Sequence, residues 1–383
     1  MQRRRLLFLV VGLAVLTAGW TAIWLVVAAR LEAGIDDWAQ QQRAAGGDAR
    51  FERVAIGGFP FHWQIAVEGP VVMGPPLAPW RWQGGHAEAT LLPWSLHRLP
   101  LRLEGEQRLR LTPLAPELAL GAERTEGFVT LGPDGNFSGL SLTLDQVRVT
   151  APPAWDGVTA ARAELAFAAQ PPGPAQSERL TITFHGETIV LTGPPMPGLG
   201  AEIAKLDLTT EIDGTWPAGP PAAMLAGWRD GGGKIEIRRL DLGWAPLQLE
   251  GSGTIKLDRQ LRPQGAGTVL VRGLEEVING LQQAGVLKPA DANFARFTLG
   301  LLTRQDGKVA GTATLKVTAD NGRLAVGGVT LGQLKPLVPS AGSSGLGHLP
   351  SGLAGLDDAA ADRAGAGEEV LQLLPVAPAD RLL

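Results

Sequence analysis

Phe137-Ser138-Gly139-Leu140-Ser141-Leu142-Thr143-Leu144-Asp145-Gln146-Val147-Arg148-Val149-Thr150 is the stretch that decides the fold. Leu140, Leu142 and Leu144 alternate with Ser141, Thr143 and Asp145, the period of two that marks a strand with one apolar and one solvated face. The same alternation recurs on both sides. Upstream it runs through Trp63, Ile65 and Val67, then Leu99, Leu101 and Leu103, with Arg102 and Glu104 pointing the other way. Downstream come Ile182 and Phe184, Leu206 and Leu208, Ile235 and Ile237, Leu240 and Leu242, Leu247 and Leu249, and Ile255 and Leu257. Leu315 with Val317 and Leu324 with Val326 complete the series. Each run is short and bounded by Gly, Pro, Asp or Asn, as strands joined by turns are. Pro133-Asp134-Gly135-Asn136 and Asp320-Asn321-Gly322 mark two of the turns, the second suited to a tight hairpin with positive φ. At Arg238-Arg239 the alternation breaks and restarts one residue later, which predicts a bulge.

Helical signal within this β region is sparse. Leu274, Val277, Ile278, Leu281 and Leu287 recur at helical spacing, with Glu275 and Glu276 favouring the helix N-terminus and Lys288-Pro289 read as its end. Ala222 to Trp228 is a shorter candidate. A sheet with one apolar face must bury that face, and one or two helices cannot cover a dozen strands. The expectation is a mainly β fold: an elongated antiparallel sheet curled into a groove or open barrel, with one or two short helices; a two-sheet sandwich is the alternative closure.

Ahead of the strands, Arg3, Arg4 and Arg5 precede the uncharged run Leu6 to Ala29, and Arg30, Glu32, Asp36 and Asp37 follow it. At about 1.5 Å per residue the run can cross a hydrocarbon core roughly 30 Å thick. Trp20 and Trp24 fall in its second half, where indoles suit the interface, and the arginine cluster predicts a cytoplasmic N-terminus. A cleaved signal and a buried soluble helix are the other readings; the run is long for a signal core, and Ala28-Ala29-Arg30 is a poor cleavage site. Leu31, Ile35, Trp38 and Ala39 extend the segment as a short amphipathic helix stopped by Gly46 and Gly47. The chain therefore divides into a cytoplasmic 1–5, a transmembrane anchor 6–29, a helical linker 30–50, a periplasmic β domain 51–338 and a tail 339–383. The tail is rich in Gly, Ala, Ser, Pro and Asp and reads as disordered.

With no cysteine, neither a disulfide framework nor a thiolate metal site is possible. The formal net charge of −4 gives no case for nucleic acid. Lysine is absent before Lys205 while Arg, Ala, Gly and Pro abound, as in a GC-rich bacterial genome. His62, His86, His97, His185 and His348 lack metal-ligand spacing. Gly231-Gly232-Gly233-Lys234 fails as a phosphate loop because Ile235 stands where Ser or Thr is needed, and Gly251-Ser252-Gly253 lacks the spacing of a nucleophile elbow. No cofactor and no catalytic residue is expected, although carboxylates converging from distant strands stay open. Eleven tryptophans and ten phenylalanines accompany no tyrosine, and Phe59, Phe61, Trp63, Trp80, Trp82 and Trp94 gather in the first third of the β region. They read either as core packing or as the lining of an apolar groove for a lipid-like ligand, or as contact with a membrane surface.

Two stretches carry a family resemblance. One is Val54-Ala55-Ile56-Gly57-Gly58-Phe59-Pro60-Phe61. The other runs from Leu225-Ala226-Gly227-Trp228 through Leu240-Asp241-Leu242-Gly243-Trp244 and Gly251-Ser252-Gly253-Thr254 to Leu261-Arg262-Pro263-Gln264-Gly265. With the closing Gly327-Gly328-Val329-Thr330-Leu331-Gly332, the pattern resembles domain-of-unknown-function family 2125, uncharacterised membrane-anchored proteins of alphaproteobacteria. The anchor-plus-β layout is more distantly similar to AsmA-like and TamB-like envelope proteins, whose β-grooves are linked to lipid traffic. The family carries no catalytic assignment to transfer. The anchor, a strand pattern short of covering helices and the missing catalytic motif lead to the expectation of a single-pass inner-membrane protein, non-enzymatic, that binds or shields lipid-like molecules. A scaffold for other envelope proteins is the second expectation, and a hydrolase of envelope polymers the third.

Overall fold

An apolar run followed without a break by an amphipathic one has no reason to stop being helical, and α1 (Gln2–Ala44) is one uninterrupted helix. Its segment Leu7–Ala44 is long and apolar enough to cross a membrane. Leu7, Phe8, Leu9, Leu13 and Leu16 are all exposed, so this half is not a core helix of the protein's own fold. From Trp24 onward the pattern changes: Trp24 and Ala39 are buried, and Ala28, Leu31, Ile35 and Trp38 between them are half-buried. That spacing is one helix face laid along the first strands. The computed structural model describes residues 2–338 except 76–79, 112–114, 134, 136, 153–154, 171–177, 194–195, 218 and 306–311. The tail 339–383 and residues Asp134 and Asn136 of the predicted turn lie outside the described residues.

After α1 come β1 (Asp48–Arg50), β2 (Arg53–Gly57), β3 (Trp63–Glu68), β4 (Val71–Met73), β5 (Arg81–Gln83), β6 (His86–Leu91), β7 (Arg98–Glu104), β8 (Gln107–Arg110), β9 (Leu118–Gly121) and β10 (Arg124–Leu131). The longer strands β11 (Phe137–Ala151), β12 (Trp155–Gln170), β13 (Arg179–Leu191) and β14 (Glu202–Asp213) lead to α2 (Pro221–Asp230). Then follow β15 (Lys234–Trp244), β16 (Leu247–Leu257), β17 (Pro263–Arg272), α3 (Leu274–Gln283), α4 (Pro289–Gln305), β18 (Thr312–Asp320), β19 (Arg323–Val326) and β20 (Val329–Gln333). Among the described residues all twenty strands belong to one sheet, and every pairing is antiparallel. The chain is a meander: β2 pairs with β3, β3 with β6, β6 with β7, β7 with β10, and from β10 onward each strand with the next. The sheet does not close, and β2 and β20 lie at opposite ends of the meander.

Register keeps one face apolar along this whole length. Ile56, Ile65, Ala89, Leu101, Gly127 and Leu142 stand opposite one another across six strands. Leu165, Phe184, Leu208, Leu240 and Gly251 continue the same row. Along several strands the inward residues step once by three instead of two: Leu144 to Val147, Gly186 to Ile189, Ile203 to Leu206 and Ile237 to Leu240. Gln146 and Thr188, with φ of 52° each, mark two of these steps. The predicted bulge at Arg238-Arg239 is the last, seen as register shifts at Thr209/Thr210 and Ile237/Leu240.

Helices cover only parts of this face. Trp228 of α2 is 1 % exposed, packs with Ile212 and Leu257, and stacks on Trp216 at 5.1 Å, closing one end of β13–β16. At the other end α3 lies against β16 and α4 against β18, with Ile278, Ala292 and Ala313 buried. The two expected helices near 222–228 and 274–287 are present, and α4 is an additional one. Pro289 opens α4 rather than closing α3, because proline's missing N–H and fixed φ cost nothing in a first turn.

Candidate functional site

A half-exposed apolar face along so long a sheet is the chemically distinctive surface of this protein. Leu140, Leu142, Leu165, Phe167, Leu206, Leu208, Leu240 and Leu242 are all only half-buried. The two core clusters hold three buried residues each, Leu144/Val147/Ala163 and Ile212/Trp228/Leu257, where an ordinary domain has one contiguous core. Between the ends closed by α2 and by α3–α4 the face sinks into a groove of about 240 Å³. Its walls include Ile237, Leu240, Ile255, Val269, Val317 and Leu324, and its floor is Gly251, Gly253, Gly265 and Gly267. Gly253 faces Gly267 across the β16–β17 ladder, and a Cβ on Gly253 would stand 2.9 Å from the Gly267 Cα. Glycine there permits the close backbone approach and leaves the floor without side chains.

The opposite face is a lattice of compensated charges. Lys205 Nζ lies 2.8 Å from Asp207 Oδ2 and 2.9 Å from Asp241 Oδ2, and Arg239 adds a 3.1 Å contact to Asp241. His185 sits between Asp207, through Nδ1, and Glu187, whose Oε1 is 3.1 Å from Nε2. Those two hydrogen bonds raise the imidazole pKa above its ordinary value. Burial pushes the Asp207 carboxyl up, but the hydrogen bonds from Lys205 and His185 outweigh it and hold the group below the usual range. Asp213 behaves alike: burial opposes ionisation, and Arg179 and Lys234 more than offset it. This network ties β13, β14 and β15 together on the solvated side. Among the described residues no group of three or more His, Asp or Glu could hold a metal ion.

A third feature joins the sheet to α1. The loop Gly58–His62 between β2 and β3 folds against the helix. Trp20 Nε1 donates to the Pro60 carbonyl at 2.7 Å and Trp24 Nε1 to the His62 carbonyl at 2.9 Å. Trp63 Nε1 donates in return to the Trp24 carbonyl at 3.1 Å, and the two indoles stack at 6.4 Å. Phe59 meets Trp24 edge-on at 5.5 Å.

The six aromatic positions singled out from sequence separate into different environments. Trp63, 4 % exposed, and the half-exposed Phe59 contact α1, whereas Phe61 and Trp94 project outward at 70 % and 73 % exposure. Trp82 lies on β5 in a row with Val72 and Leu109, half-buried, and Trp80 is half-buried just before that strand. Sequence reasoning missed the groove floor. The signal was present: in the apolar phase of β16 and β17, Gly251, Gly253, Gly265 and Gly267 stand where Leu or Val would continue the pattern.

No curated protein and no solved structure matches the chain. The profile of one protein family matches residues 24–335, starting at the indole that stacks on Trp63 and ending beyond β20. The chain therefore belongs to DUF2125, the family described as uncharacterized protein conserved in bacteria.

Proposed function

We propose that this is a bacterial inner-membrane protein whose apolar sheet face binds or shields the acyl portion of lipid-like molecules in the cell envelope. The observation that carries this reading is the unbroken apolar row from Ile56 on β2 to Gly251 on β16, left half-exposed by the helices around it. Apolar area costs about 25 cal/mol per Å² in water, so a face of this length favours an apolar occupant. The anchor reading rests on the exposed, uncharged first half of α1, and the orientation rests on Arg3–Arg5 preceding the span, which favours a cytoplasmic N-terminus and a periplasmic sheet. The pairing of polar-face carboxylates with Arg, Lys and His supports binding rather than catalysis as the activity.

Native mass spectrometry of the detergent-solubilised full chain tests this directly. Co-purifying phospholipid or fatty acid, lost when the groove is filled by substitution, is the expected result. A lipid-free protein that takes up no added lipid overturns the reading. The exposed edge strand β20, with Val329 and Leu331 both facing solvent, favours a second reading, strand addition by a protein partner. In that case crosslinking in intact cells yields stoichiometric protein adducts rather than lipid adducts.

A further inference from the structure

The geometry points to a bilayer-dipping rim: we infer that Phe59, Phe61, Trp94 and Leu96 enter the outer interface of the membrane that α1 crosses, so that the apolar trough opens at the lipid surface. The inference rests on the anchor reading above and adds to it where the sheet sits. Trp63 pairs with Leu91, which brings the β2–β3 loop and the turn 92–97 to the same end of neighbouring strands. Phe59, Phe61, Trp94 and Leu96 are all exposed there, an apolar patch on loops that water alone would disfavour.

Helix depth places that patch. From Leu7, Trp20 is about 20 Å and Trp24 about 26 Å along the axis, while a hydrocarbon core is roughly 30 Å thick. The hydrogen bonds of Trp20 to Pro60 and Trp24 to His62 hold the loop at that level. On the sides of α1 that the loop does not cover, Ile23, Leu25 and Val26 are exposed, so the apolar belt of the helix extends past the level of the loop. A span that buries Ile23 to Val26 in lipid on one side sets Phe61 at the same depth on the other. Tryptophan and phenylalanine suit this zone, where indole N–H groups meet polar partners and rings meet chains. The occupant is therefore a lipid surface.

The chain has no cysteine, so single-cysteine variants of the full protein report position without background. Phe61→Cys, Trp94→Cys, Val15→Cys and Glu250→Cys, each carrying an environment-sensitive fluorophore, are reconstituted in phosphatidylethanolamine/phosphatidylglycerol vesicles. Labels at 61 and 94 should shift to the blue and be quenched by lipids spin-labelled near the headgroup. The label at 15 should respond to deep spin labels and the one at 250 only to aqueous iodide. If 15 is shielded while 61 and 94 are as iodide-accessible as 250, the rim is refuted and the anchor stands. If 15 is also in water, the anchor reading falls and this inference with it.

Discussion

Val269 and Thr268 are adjacent on β17 and point to opposite faces, so the pair isolates the groove from the strand that carries it. Val269 lines the groove and is half-buried, whereas Thr268 is exposed on the polar side. Val269→Asp puts a carboxylate on the groove lining beside Gly251, in the row that continues to Leu240. Full burial of a Val side chain is worth about 1.5–3 kcal/mol, so losing contact between a half-buried Val269 and an acyl chain removes about 1 kcal/mol. Bringing apolar chain against the new carboxylate adds a desolvation cost of at least about 2 kcal/mol. The sum of about 3 kcal/mol is a loss of roughly 150-fold in affinity. Thr268→Asp has the same backbone consequence and no contact with the occupant, and a surface change of this kind stays within about 0.5 kcal/mol, roughly twofold. The assay is titration of the solubilised full chain with a fluorescent fatty acid, checked by native mass spectrometry for bound phospholipid. Thermal melting of both variants confirms that each remains folded. Equal affinities for the two variants would refute the assignment of the groove as the binding surface.

Trp63→Ala removes an almost fully buried indole, its stacking on Trp24 and its hydrogen bond, and should weaken the docking of α1 by about 3–5 kcal/mol. Tryptic cleavage at Arg43 should then accelerate while the sheet stays protected; unchanged cleavage would show that the contact is not what holds the helix. Trp228→Ala opens the end of β13–β16 and should cost about 3–5 kcal/mol, read as a lowered melting temperature that Trp228→Phe largely restores. For His185 the folded-state pKa lies above the ordinary value because of Asp207 and Glu187. Its stabilising contribution is therefore complete below about pH 6.5 and lost as pH rises through the raised folded-state value. His185→Gln should lower the melting temperature in mildly acidic buffer and have a shrinking effect toward alkaline pH, and a pH-independent difference would contradict the paired-imidazole geometry.

Much of the architecture was legible because a period of two survives in almost every strand. Leu99, Leu101 and Leu103 alternate with exposed Arg98, Arg102 and Glu104 as simply in the structure as in the sequence. The bulge at Arg238-Arg239 was also legible, since the two residues between Ile237 and Leu240 reverse the parity of the alternation and only an extra residue in the strand restores it. Less visible were the interruptions that divide the early strands at residues such as Gly69 and Gly105, both with positive φ, because a glycine between strands reads equally as a turn. The helix α4 was missed because Asn293, Arg296 and Gly300 dilute its apolar spacing, and Pro289 carries opposite meanings at the two ends of a helix. The aromatic positions could be found but not sorted. Nothing local distinguishes Trp63, which is buried by a helix far earlier in the chain, from Trp94, which stands exposed among the described residues. Sorting them needs the pairing of β3 with β6 and the return of the loop to Trp20 and Trp24, both long-range facts.

The apolar row gains meaning when the face is considered as a path rather than as a pocket. An acyl chain of about sixteen carbons drawn into water exposes methylenes worth about 0.8 kcal/mol each, about 13 kcal/mol in all. At about 1.36 kcal/mol per decade that slows a transfer by about nine orders of magnitude. A trough that shields half of the chain at every position removes about half of the barrier, but only if it is continuous, because one strand presenting its polar phase restores water along about 4.8 Å of the path. Leu142, Leu165, Phe184, Leu208 and Leu240 are held in one row by their cross-strand pairing, on one side of the three-residue steps at Gln146, Thr188 and Arg238-Arg239. The steps in β11–β14 fall at the same level in all four strands, so the apolar phase resumes together beyond them, with Val147, Ala160, Ile189 and Ile203 as the next row. A simple packed core, whose side chains are satisfied by their nearest neighbours, would not require continuity on that scale.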